Sequence, residues 1–211
     1  MPRFKAPEVA VQRLSLYLRT LKSIPDDRVL SSQKFAELVG TTDNQIRKDL
    51  SYFGWFGIRG QGYRVDRLKE EITHILTLNR KWRLALVGVG KLGSALLMYP
   101  GFRKDKFQIK LAFDSDPEKI GKTIGGIVIQ DVEKIPELLP LNKIKVGIIT
   151  TPADVAQDVA DKLIRGKVKG ILNFAPTHLV VPGKVKLKNI DLSIPLEILS
   201  FFISLEKIAV S

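Results

Sequence analysis

Three glycines in the run GVGKLG, at positions 88, 90 and 93, could cradle a pyrophosphate, because each meets a different steric demand. Gly88 permits a tight turn, Gly90 lets a phosphate approach the backbone, and Gly93 lets a helix pack closely on a strand. Val89, Lys91 and Leu92 complete a loop opening into a helix whose positive dipole end would face the phosphates. The glycine motif is weak alone. Here it follows the apolar run LALV, precedes LGSALLMY, and stands 21 residues ahead of Asp114, at the end of a second strand, KLAFD. A carboxylate at that place accepts both adenosine-ribose hydroxyls and repels a 2′-phosphate, so the predicted coenzyme is NADH or NAD+ and not NADP(H). Asp116 points the wrong way along the strand to take that role. Thr150, Thr151 and Pro152 follow another strand's C-terminal end, where ligands of such sheets bind, and Asn173, Phe174 and Ala175 occupy a similar place. Ordinary turn chemistry competes with ligand binding at both.

A second constellation precedes the first. In TDNQIRKDLSYFG, Ile46, Leu50 and Phe53 recur at i, i+4 and i+7 and should be buried. That leaves Asn44, Gln45, Arg47, Lys48 and Ser51 facing solvent. Arg and Lys suit guanine or phosphate, Asn and Gln suit adenine, and Ser suits phosphate. A polar helix face is common, but here a glycine-rich basic tip follows it. Gly60 and Gly62 let a backbone come close, and Arg59 between short apolar segments can enter a narrow A·T-rich minor groove. Tyr52, Trp55 and Tyr63 pack this wing, with the tyrosine hydroxyls in reach of phosphates.

The elements that must hold these groups are legible in outline. Residues 8–23 put Leu14, Tyr17, Leu18 and Leu21 on one helical stripe, with Arg13, Arg19 and Lys22 around it. Ser31 or Ser32 caps a second helix with Phe35, Leu38 and Val39 inward, and Gly40-Thr41 makes a turn. Thr42 and Gln45 have capping-box spacing and start a third helix near Asp43, with Gly54 as its C-cap. Trp55–Ile58 and Tyr63–Val65 flank Arg59-Gly60-Gln61-Gly62 as a hairpin, and a polar helix over 66–79 buries Leu68, Ile72, Ile75 and Leu76. From Arg83 onward strands alternate with helical segments, which implies a parallel sheet with right-handed crossovers. The last segment, PLEILSFFISLEKIAV, reads as an amphipathic helix. The fold class is therefore α/β with an N-terminal winged-helix domain and a Rossmann-type sheet. The expected division is 1–80 for DNA, 81–193 for NAD(H) and a C-terminal helix over 194–211.

Bulk properties bound the function. The 211 residues carry a net charge of +12, with a pI near 9.9, which suits a polyanion partner. Residues 1–80 contribute 14 Lys/Arg against 9 Asp/Glu and the remainder 20 against 13, so charge alone does not say which half binds DNA. With no cysteine, disulfides, thiolate catalysis and Cys-based zinc sites are excluded. No run approaches 18 uncharged apolar residues, so no membrane partner and a cytoplasmic location are predicted.

Several segments together resemble the redox-sensing repressor Rex family: IRKDLSYFG (46–54), RGQGY (59–63), GVGKLG (88–93), FDSDPEKIG (113–121) and GILNFAP (170–176), in Rex order along essentially the whole chain. The resemblance implies a homodimer with a C-terminal helix swapped onto the partner. It implies operator DNA bound with NAD+ and released on NADH binding. It also implies a switch in which Asp191 of one subunit alternates between Arg19 and Tyr99 of the other. This chain has TTP where TVP is usual, and Leu192 where a larger apolar residue faces the nicotinamide.

The chief alternative is an NAD-dependent dehydrogenase with a small accessory domain. An enzyme needs an acid or base near the nicotinamide, and His178 is the sole candidate of the usual kind in the coenzyme-binding half, with His74 on the linker helix; lysines could substitute, but no substrate domain is left over. A third reading is a dimeric coenzyme-binding scaffold that regulates another protein. The repressor reading predicts two recognition helices about 34 Å apart, entering successive major grooves, with a spacing that the coenzyme's redox state controls.

Overall fold

The structure, a computed structural model, describes residues 6–54, 57, 62–101 and 106–208. It divides into two compact units, Met1–Arg80 and Lys81–Ser211.

In the first unit, α1 (Glu8–Lys22) buries Leu14, Tyr17, Leu18 and Leu21 against α2 (Ser32–Val39), α3 (Asp43–Ser51) and α4 (Val65–Ile75). Phe35 sits at the centre, edge-on to Tyr17 at 5.4 Å and to Tyr63 at 6.4 Å, in the geometry the ring quadrupoles favour. Ser31 caps α2 by accepting from the Lys34 amide, and Gly40 at φ 73° ends it. The inward stripe of α2 is Phe35, Ala36 and Val39. Leu38, expected inward, is 46% exposed because it lies well round the helix from the middle of that stripe.

Thr42 accepts from the Gln45 amide and so starts α3, but only half of a capping box forms, since the Gln45 side chain turns elsewhere. Ile46 and Leu50 are buried, whereas Phe53 is half-buried. The helix ends at Ser51 with Tyr52 as its C-cap, two residues before Gly54. β2 (Tyr63–Arg64) pairs antiparallel with β1 (Val29–Leu30), a strand the apolar periodicity did not reveal, and Val65 opens α4. Apart from Gly57, the first expected wing strand, Trp55–Ile58, lies outside the described residues, as do Arg59 and Gly60.

The second unit is a seven-stranded sheet in the order β5-β6-β4-β3-β7-β8-β9. Its strands are β3 (Trp82–Val87), β4 (Phe107–Asp114), β5 (Thr123–Ile124), β6 (Ile127–Asp131), β7 (Val146–Ile149), β8 (Gly170–Asn173) and β9 (Lys186–Asn189). Every neighbouring pair is parallel except β5 with β6. Side chains alternate through β3. Ala85 and Val87 pack with α6 (Ile135–Leu141) and α7 (Ala156–Arg165), while Leu84 and Leu86 pack with Val89 and Leu97 of α5 (Lys91–Met98). Burial on both faces explains why LALV is a continuous apolar run and not an alternating one.

The β5–β6 hairpin around Gly125-Gly126, α6 and β9 were not assigned from sequence. The chain ends in α8 (Ser193–Ile208). Its polar stripe is narrow (Ser193, Glu197, Ser200, Ser204), and every side chain from Ser193 to Leu205 is exposed. Among the described residues no helix is long and apolar enough to cross a membrane.

Candidate coenzyme site and nucleic-acid interface

Strand order places the coenzyme site. β3 has β4 on one side and β7 on the other, so consecutive loops leave its C-terminal end in opposite directions, which is where open parallel sheets bind ligands. Register puts Val87 level with both Phe113 and Ile149, so Gly88, Asp114 and Thr150 emerge side by side. Backbone bonds fix them: Gly88 N–H donates to Phe113 O and Thr150 N–H to Val87 O, each at 2.9 Å.

Each glycine of the loop meets different surroundings. Gly88 adopts φ 97°, and a Cβ there would lie 2.8 Å from Thr151 Cγ2. A Cβ on Gly93 would lie 2.0 Å from Gly88 O, so α5 approaches its own loop as only glycine allows. A Cβ on Gly90 meets nothing within 4 Å. The free space thus lies beside Gly90 at the start of α5, where the backbone is open to approach. Lys91 and Leu92 are exposed on the first turn. Val89 is buried, and its amide is already used, donating to Asp114 Oδ2 at 2.7 Å. Its contribution is to weld the glycine loop to the acid.

Asp114 also accepts from the Asp116 amide (3.0 Å) and from Lys119 Nζ (3.3 Å). Burial pushes this carboxyl up, but the two backbone amides and the Lys119 ammonium outweigh it and hold the group below the ordinary carboxylate range. Asp114 is therefore charged and rigid. The expected wrong-way orientation of Asp116 does not hold: two residues after Asp114 it would share a strand face with it, and it lies beyond the end of β4, where it pairs with Lys119 at 3.5 Å.

Thr150 donates from Oγ1 to Gly88 O at 2.7 Å, bracing the loop from β7. Thr151 Oγ1 is buried and has no hydrogen-bond partner among the described residues, a polar atom that a bound coenzyme can satisfy. Pro152 is exposed beside it. Asn173 faces the protein interior. It is fully buried, and its amide donates to Ala175 O, Thr177 O and Asn189 Oδ1, each at 3.1 Å, while its Oδ1 accepts from the Ala175 amide. Its side chain is spent on shaping the loop and tying it to β9. Ala175 is buried in the core, and Phe174 packs half-buried against the α5 side of the sheet.

In the first unit, Asn44, Arg47, Lys48 and Ser51 are exposed at i, i+3, i+4 and i+7, one stripe along α3. Arg47 is held over that stripe by Ser32 Oγ and Asn44 Oδ1, each at 2.9 Å, and by Asp43. Ser51 donates its hydroxyl to Lys48 O. Tyr52 is half-exposed, and Tyr63 is buried in the core rather than packed only on the wing. Gly62, read as a close-approach residue for DNA, is already demanded by the fold: at φ 94°, a Cβ would lie 2.2 Å from Leu30 O. Gln45 is half-buried and donates to Asp49, whose carboxylate is fully buried among Arg13, Tyr17 and Gln45. Sequence reading missed Asp49. The available signal was its place three residues after Ile46, on the buried side of α3.

Known proteins place this assembly. Residues 5–51 match the family model "Putative DNA-binding protein N-terminus", and residues 79–177 match "CoA binding domain". Redox-sensing transcriptional repressor Rex of Thermus thermophilus is 48% identical over 201 residues, covering 94% of each chain. The Rex of Carboxydothermus hydrogenoformans is 47% identical over 203 residues, covering 95% of this chain and 98% of that one. The chain belongs to the Rex family. Among solved structures, RSP in complex with beta-NAD+ and operator DNA superposes with a TM-score of 0.91 at 37% identity, over 96% of this chain and 94% of that chain. RSP in complex with beta-NADH superposes with 0.88 at 35% identity, covering 97% of both.

The resemblance to Rex singles out three further positions. Arg19 is exposed on α1 in the first unit. In the second, Tyr99 follows α5, 55% exposed, and Asp191 lies exposed just before α8. The Asp191 carboxylate accepts from the Ser193 hydroxyl (2.7 Å) and amide (2.9 Å), and these bonds lower its pKa.

Proposed function

We propose that the chain is an NAD(H)-responsive transcriptional repressor. It binds a palindromic operator through α3 and the wing when NADH is scarce relative to NAD+, and it is released when NADH binds. The observation that carries this is one polypeptide with both an exposed Asn44–Arg47–Lys48–Ser51 stripe and a glycine loop welded to a buried, charged Asp114. Similarity to Rex repressors along nearly the whole chain supports it.

Within the coenzyme site, Asp114 takes the adenosine-ribose hydroxyls, the backbone around Gly90 takes the pyrophosphate, and Thr151 offers its Oγ1. The coenzyme supplies an oxidation state, a nicotinamide that is cationic in one form and neutral in the other. The chain works as a homodimer in the cytoplasm, where its DNA is, and α8 supplies the apolar surface that a second copy covers. It is a repressor and not an enzyme: its near-full-length relatives carry the repressor name.

Mobility-shift titration of a palindromic A·T-rich duplex, with each coenzyme form in turn, tests the proposal. Binding with NAD+ and release by NADH are expected. Equal binding in both would refute the redox response.

A further inference from the structure

We propose that Gln45 is a positioning residue and not a base reader: the buried carboxylate of Asp49 takes its side-chain amide, together with Arg13 and Tyr17, and so sets the roll of α3. This rests on the DNA-binding reading and refines which side chains of the helix carry it.

The geometry is that of a filled acceptor. A carboxylate offers about four lone-pair sites and donates nothing. Asp49 Oδ2 accepts from Arg13 Nε at 2.5 Å and from the Tyr17 hydroxyl at 2.7 Å. Its Oδ1 accepts from Arg13 Nη2 and from Gln45 Nε2, both at 2.7 Å. All four sites are therefore used, and the acceptor-only partner fixes which end of the Gln45 amide faces it. Bidentate reading of adenine needs the Gln nitrogen and oxygen together. The bond to Asp49 uses one of the two N–H groups of the Gln45 amide and ties the amide to the α1 side of the helix, so swinging it out to lay oxygen and nitrogen against an adenine would take a donor from a buried carboxylate, which is costly.

Helical spacing agrees. Gln45 and Asp49 are i and i+4, a row beside the exposed stripe of Asn44, Arg47, Lys48 and Ser51 and facing α1. Arg13 and Tyr17 are likewise i and i+4 on α1. One turn of α1 thus grips one turn of α3 through a single carboxylate. Three of the four bonds cross from α1, and a rotation of α3 about its axis would break at least one of them, so the grip holds the angle at which the stripe meets a groove; the Gln45 bond, made within α3, holds the carboxylate toward Arg13 and Tyr17.

The test uses the full-length protein and a palindromic duplex selected from a randomised A·T-rich pool with NAD+ present. Affinity is measured for that duplex and for every single base-pair variant of it. For Gln45→Ala, a uniform loss of roughly twofold to tenfold is expected, the span of one net hydrogen bond, with discrimination at each position unchanged. For Asp49→Asn, a larger loss on the selected duplex than on a scrambled one is expected, with NADH affinity unaltered. Relaxed discrimination by Gln45→Ala at one base pair would show that Gln45 reads that base and would overturn the proposal. No change in affinity for Gln45→Ala would overturn it equally. If the unsubstituted protein fails to tell the selected duplex from a scrambled one, it is the DNA-binding reading that falls.

Discussion

Two carboxylates, Asp49 and Asp114, are charged although nearly excluded from solvent. Each is kept so by donors from several segments. Burial pushes the Asp49 carboxyl up, but the bonds from Arg13, Tyr17 and Gln45 and the Arg13 charge outweigh it and hold its pKa below the usual value. Its contribution to stability is therefore present above the unfolded-state pKa of about 3.9. It is lost as pH falls through the lower, folded-state value, because in that window the unfolded chain binds the proton. Asp49→Ala should destabilise the first unit by about 3–5 kcal/mol at neutral pH and flatten its acid unfolding, read by urea melts across pH. At Asp114, replacement by Ala should reduce NADH affinity about tenfold to a hundredfold, the range of a charge-assisted hydrogen bond. It should also narrow the preference over NADPH, since the repelling charge is gone. Unchanged NADH fluorescence titrations would reassign the ribose contact.

At the scale of elements, the sequence was most informative where backbone sterics leave one solution. Gly88 and Gly93 stand where any Cβ collides, and Thr42 stands where an orphan amide needs an oxygen, so their types announce their roles. Asp49 was opaque because its main partner, Arg13, lies 36 residues away, and a lone Asp in a polar helix looks solvated. Asn173 was ambiguous for a related reason: loop-shaping and ligand-binding amides look alike until their partners are known. β1 and β9 are short or lysine-rich, and pairing rather than pattern makes them strands. Arg47→Ala removes the longest cation from the exposed stripe of α3, so operator affinity should fall by about 1–3 kcal/mol while NADH affinity stays constant. α8 leaves Phe201 and Phe202 about 60% exposed, and in water so broad an apolar face calls for a partner. Phe201→Glu with Phe202→Glu should yield a monomer by sedimentation. A variant that stays dimeric would remove α8 from the interface.

For the whole molecule, the two ligands must be thermodynamically coupled if redox state is to control transcription, and coupling is reciprocal. If NADH lowers operator affinity by some factor, saturating operator must lower NADH affinity by the same factor. That equality is measurable by titrating NADH fluorescence with and without duplex, and a mismatch would mean that the two assays report different assemblies. The coupling can be no larger than the difference in NADH affinity between the two arrangements of the dimer. Asp191 is the place to intervene. It is exposed, charged and held, among the described residues, by Ser193 ahead of α8, so its carboxylate can exchange local bonds for a cation or a phenol without the cost of leaving a buried site. Arg19 and Tyr99 are exposed and chemically suited to receive it. Asp191→Ala should therefore leave operator and NADH each bound with near-normal affinity while driving both measured factors toward one. If NADH still releases the operator from this variant as efficiently as before, the signal runs through other residues, and the Arg19–Asp191–Tyr99 exchange is not the switch.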